Sequence, residues 1–189
     1  MLTLTQSHSR GDGLKVLWDR MDAGWRALVR GSGWIADKET YGLRGYFRNT
    51  EVVHNPITGW HVHFHVILLL DVELHQLQLN GLRDSVGTRF ANGLAGRGGY
   101  AAVHLQDLRP VTRGTEENLA DYCLKGTTMQ ISPNGSRTPM AIVDHLESTG
   151  EGRELWEEFA TVASARRRMQ FVASARTDAL WPESHHLVY

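Results

Sequence analysis

Residues 48–70 read RNTEVVHNPITGWHVHFHVILLL. Two runs rich in β-branched and aromatic residues flank HNPITG, a cluster of turn formers, so the segment predicts a β-hairpin with strands over 43–53 and 60–70. Side chains alternate along a strand, so His61, His63 and His65 point to one side and Val62, Phe64 and Val66 to the other. The apolar set marks the core face. Centring the turn near Ile57 sets Glu51 opposite His63, with Cβ atoms roughly 4.5–5.5 Å apart. A slip of one residue would turn Glu51 to the other face, so the pairing is a strict commitment. A solvated β face more often carries Thr, Lys and Glu. Three imidazoles beside a carboxylate point instead to a cation site formed by Glu51, His63 and one or both flanking histidines. This donor set suits Mn²⁺, Co²⁺, Ni²⁺ or Zn²⁺, and it can orient Mg²⁺ when waters and phosphate oxygens complete the shell.

Outward from the hairpin, Leu2-Thr3-Leu4-Thr5 alternates like a short strand. Leu14, Leu17, Trp18, Met21, Trp25, Leu28 and Val29 form one helical stripe over 14–30, with Asp12 as its expected cap. Residues 74–94 carry a second stripe, weakened by Gly81 and Gly87. A strand is expected over 100–108 and a short helix over 115–125. Thr138-Pro139 reads as a cap followed by proline at the first helical position, opening a helix over 139–147, with a last helix over 152–170. This order predicts an α+β fold, a central antiparallel β-sheet with flanking helices. The expected division is a domain over 1–130 and a C-terminal helical extension over 131–189 packed on it.

Composition narrows the function. The chain has 189 residues, 41% apolar and 22% charged, which suits one globular domain, or one domain with a short appendage. Its formal charge is -1 and its pI near 6.8, so any nucleic-acid contact is local rather than a coat of bulk positive charge. Cys123 is alone, which excludes an intrachain disulfide and multi-cysteine zinc sites. The longest apolar run, Val66–Leu70, is too short to span a membrane. The opening MLTLTQSHSR lacks the charged-then-apolar order of a secretory signal, so a cytoplasmic location is expected.

In LADYCLKG, Tyr122 and Lys125 share a helix face. A phenol is a poor nucleophile at neutral pH, and a nearby ammonium or metal favours its phenolate. Alone, a Y-x-x-K pattern is common and fits an ordinary amphipathic helix. His54, His75, His104 and His145 read as structural or surface residues, and His185 and His186 have no assigned role.

Three motifs occur in order: LTLT, then HVHFHVILL after RNTEVV, then YCLK. Together they resemble the HUH endonucleases, and within them the plasmid rolling-circle replication initiators of the actinobacterial type. The segments GDGLKVLWDRMDAGWRALV, SRTPMAIVDHL and LWEEFATVASARRR extend the resemblance over residues 2–170. It implies a palm like that of RNA-recognition-motif proteins, with the tyrosine on a helix beside the sheet. It also implies His63 and His65 as ligands of a divalent metal (Mg²⁺ or Mn²⁺), with Glu51 third. His61 aligns with an additional family histidine and is a candidate metal ligand or DNA contact. Tyr122 is then the nucleophile, Lys125 its helper, and Thr3 and Thr5 belong to a mainly structural first motif. The implied activity is metal-dependent nicking and joining of single-stranded or hairpin origin DNA through a 5′-phosphotyrosine. The host polymerase and helicase are the implied partners. Arg113 and Arg166-Arg167-Arg168 are candidate phosphate contacts. Asn118 stands where some relatives place a second catalytic glutamate, so a single-tyrosine enzyme is implied. The family commonly has sequence before the first motif, so a truncated or minimal form is expected. Competing readings are another HUH enzyme (transposase or relaxase), a DNA-binding module without catalysis, and a cupin-like metal oxygenase.

Overall fold

In a computed structural model the described residues are 1–111 and 129–166, with the backbone of 172–173. The hairpin dominates. Strands β2 (Leu43–Asn55) and β3 (Gly59–Leu70) pair antiparallel with Glu51 opposite His63, Val53 opposite His61 and Asn55 opposite Gly59, the register expected from a turn at Ile57. The Asn55 side-chain oxygen accepts the backbone N–H groups of Ile57 and Thr58 at 2.8 and 3.2 Å, closing the turn locally.

β1 (Leu2–Leu4) pairs antiparallel with the other edge of β3, setting Thr3 opposite His65. Short strands β4 (Asp107–Leu108) and β5 (Val172–Ala173) complete a sheet of order β4-β1-β3-β2-β5. Helices α1 (Leu14–Leu28), α2 (Gly31–Tyr41) and α3 (Gln76–Ala95) occur between strands. Helices α4 (Pro139–Thr149) and α5 (Arg153–Ser164) follow β4. None is long and apolar enough to cross a membrane.

One core joins them. Leu2, Leu4, Val62, Phe64 and Val66 meet Leu14, Leu17, Trp18, Met21 and Trp25 of α1 and Leu82, Val86 and Phe90 of α3. Ile142 of α4 and Val162 of α5 belong to the same cluster. α1 and α3 approach at two glycines: a Cβ on Gly93 would lie 2.6 Å from the Ala27 Cβ and 2.8 Å from the Gly24 Cα. The glycines along α3 thus trade helix propensity for close packing.

Three expectations need correction, and α2 is an addition to the expected order. Asp12 does not cap α1. It accepts from the Ser9 backbone N–H at 2.8 Å, while Glu158 of α5 accepts the Leu14 N–H at 2.7 Å and the Trp60 indole N–H at 2.7 Å. One distant carboxylate therefore ties α1, the hairpin and α5 together. The strand expected over 100–108 is mostly a 3₁₀ turn at Val103–Leu105, with only Asp107–Leu108 paired. Gln106 is the cause: its buried amide accepts from Thr5 N–H at 2.9 Å and donates to Ala102 O at 2.8 Å, doing with a side chain what strand backbone would do. α2 was not foreseen, because it buries only Trp34 and Asp37 and shows no apolar stripe. The last helix ends at Ser164 instead of reaching residue 170. Thr138 does cap α4, accepting from the Ala141 N–H at 3.4 Å, with Pro139 following.

Candidate metal centre

β2 and β3 carry the site because their alternation is strict. The core-side residues of β3 anchor the strand, so the odd-numbered side chains face the opposite side in a fixed row. On that side Glu51, His63 and His65 converge, and one ligand atom from each lies within 4.8 Å of the others. The His65 Nε2 is 2.8 Å from Glu51 Oε2 and the His63 Nδ1 is 3.8 Å from the same oxygen. Ligand atoms sharing one cation through bonds of about 2.1 Å stand about 3–4 Å apart, so the two Glu51–histidine separations are close to those of a coordination shell. The side chains are 30% (His63), 17% (Glu51) and 7% (His65) exposed, which leaves an approach from solvent on the His63 side. The chemistry also fits: one carboxylate supplies charge and two imidazoles supply directional nitrogen donors. The triad can hold a metal ion.

Thr3 extends the centre. Its Oγ1 lies 3.5 Å from His65 Nδ1, on the ring nitrogen turned away from Glu51. Without a cation, His65 Nε2–H donates to Glu51. With Nε2 given to a cation, the ring proton sits on Nδ1 and faces the Thr3 hydroxyl. The first motif therefore touches the site as well as pairing with the sheet.

His61 is not part of this triad. Its Nε2 points toward His8 Nε2 at 3.2 Å and Thr58 Oγ1 at 2.7 Å, away from the shared ligand atoms of the triad. Burial, then the positive fields of His8, His63 and His54, push the His61 pKa down to about 4, with Glu51 opposing in part. His61 is therefore neutral at neutral pH. Sequence reasoning missed His8. The signal was present once β1 is laid antiparallel to β3, because the chain beyond Leu4 runs back toward His61.

Two other described histidines have local contacts. His54 packs edge-on against Trp60 with centroids 4.9 Å apart, and His145 meets Glu151 at 3.5 Å. Arg166 is a correction to the phosphate-contact expectation. It pairs with Asp19 and Asp22 and lies over the Trp18 ring at 4.8 Å, so it is committed to holding α1. Tyr122 and Lys125 lie outside the described residues, as do Arg113, Arg167 and Arg168. Comparison of the chain with family models, curated proteins and solved structures finds no match.

Proposed function

We propose that the chain is a metal-dependent, HUH-type single-strand DNA endonuclease and strand transferase that nicks a plasmid origin to start rolling-circle replication. The observation that carries this reading is the convergence of Glu51, His63 and His65 on one face of the hairpin. That face belongs to a chain whose later sequence supplies the tyrosine motif of the same family. Glu51, His63 and His65 hold the divalent ion, and the mixed oxygen and nitrogen donor set suits Mn²⁺, or Mg²⁺ with water and phosphate oxygens completing its shell. When bound, the ion supplies electrophilic polarisation of the scissile phosphate and offsets charge on its oxygens.

The chain's own nucleophile does the rest. The Tyr122 oxygen attacks phosphorus in line, the bond from phosphorus to the 3′-oxygen breaks, and the phenol proton is balanced by the proton the released 3′-hydroxyl takes up. Lys125, three residues on in the motif, favours the phenolate. The phosphotyrosine conserves the phosphodiester bond for rejoining, and a host polymerase extends the 3′-hydroxyl after a helicase opens the duplex.

A cupin-like oxygenase uses a similar donor set, but such proteins enclose it between the two sheets of a jelly roll. The described strands here form one open sheet backed by helices. The test uses purified full-length protein, Mn²⁺ and single-stranded oligonucleotides tiling the DNA around the coding region. A covalent protein–DNA adduct on a denaturing gel is expected with wild type and none with Tyr122→Phe. An adduct that survives Tyr122→Phe removes Tyr122 as nucleophile, and no adduct from wild type with any tile contradicts the nicking activity.

A further inference from the structure

The histidine row has a second end. His8, in the segment after β1, meets His61, at the start of β3, with ring centroids 3.9 Å apart and planes inclined by 66°. The two Nε2 atoms face each other at 3.2 Å, and Thr58 Oγ1 from the hairpin turn stands 2.7 Å from the His61 Nε2. Two nitrogens bound to one tetrahedral ion through bonds of about 2.0–2.1 Å are separated by about 3.3–3.4 Å. The observed pair is within a few tenths of an ångström of that spacing. In the cation-free pair one Nε2–H donates to the other Nε2; an ion binds once that proton moves to the Nδ1 of its own ring and both rings turn their lone pairs toward it.

We propose that His8 and His61, assisted by the Thr58 hydroxyl, form a second cation site that takes a borderline transition ion such as Zn²⁺, Co²⁺ or Ni²⁺. The site is separate from the Glu51 triad. Its ligands are not shared with the triad: the His61 and His63 ring centroids are 6.2 Å apart, and the His61 Nε2 faces His8 and Thr58 instead of Glu51. The donor sets also differ. The triad includes a carboxylate and can accept a hard ion, whereas the His8–His61 pair offers neutral nitrogens and a hydroxyl, a poor match for Mg²⁺.

The experiment is Co²⁺ titration of the full chain, read by visible absorption and equilibrium dialysis. A His185→Ala/His186→Ala background keeps the paired histidines near the C-terminus from contributing. Two equivalents are expected in this parent, one of them resistant to excess Mg²⁺. His8→Ala and His61→Ala each remove the resistant equivalent, Thr58→Val weakens it severalfold, and Glu51→Gln removes only the other. Circular dichroism checks that each variant folds, and His8→Asn repeats the test with a smaller change in shape. Retention of the resistant equivalent in both His8 variants overturns the proposal, as does a parent whose bound Co²⁺ depends on Glu51 alone. A parent with one equivalent lost in His8→Ala and kept in Glu51→Gln sustains this site and removes the triad instead.

Discussion

The two faces of β3 have the same backbone and opposite tasks. On one, Val62, Phe64 and Val66 are buried against α1 and α3. On the other, His61, His63 and His65 stand in a row with partners drawn from β1, β2 and the hairpin turn. The difference teaches that the apolar face fixes the register and that the register in turn composes the ligand set. Glu51 reaches His65 and His63 only because Phe64 and its neighbours hold the strand in one alignment.

The sharpest way to separate the faces is to truncate one residue on each. Phe64→Ala empties a fully buried site and is expected to cost about 3–5 kcal/mol in chemical denaturation, enough to threaten folding. His63→Ala, the neighbouring residue on the partly exposed side, is expected to leave stability within about 0.5 kcal/mol while weakening cation binding. Equal stability losses in the two variants would break the comparison.

Thr3→Val probes whether the β1 edge contributes to the ligand face. The change keeps the strand shape and removes the hydroxyl 3.5 Å from His65 Nδ1. An approximately tenfold loss of Mn²⁺ affinity is expected, as for other partners that orient a ligating histidine. An unchanged affinity in calorimetry would confine Thr3 to sheet pairing.

A further expected effect is a pH dependence of stability. His61 binds its proton less readily in the fold, at about 4, than in the unfolded chain, near its ordinary 6.5. Below that ordinary value the unfolded state takes up more protons, so this group's contribution is intact above pH of about 6.5 and is lost as pH falls toward about 4. His61→Gln is expected to flatten this part of the profile of denaturation midpoint against pH. A profile as steep as wild type would place the titration elsewhere.

Much of this was legible in the sequence because the hairpin combines a recognisable turn with strict alternation. Those two features together specified the pairing of Glu51 with His63 and hence the triad. What was not legible depended on partners distant along the chain. α2 is held by buried Asp37, which meets Arg89 and accepts from the Ser85 hydroxyl at 2.9 Å, an arrangement that leaves no apolar periodicity to detect. The turn at Val103–Leu105 depends on what Gln106 bonds to, and the cap of α1 comes from Glu158 in α5. His8 became visible only when β1 was known to lie beside β3. Tyr122 stood out through its motif alone and lies outside the described residues.

The most direct test of the cation site is a Mn²⁺ titration followed by electron paramagnetic resonance on wild type, Glu51→Gln and His65→Ala. One bound Mn²⁺ per chain is expected in wild type, with affinity reduced by about 100-fold or more in each variant while circular dichroism stays native. Wild-type Mn²⁺ binding that persists in both folded variants would contradict the assignment of Glu51, His63 and His65 as ligands.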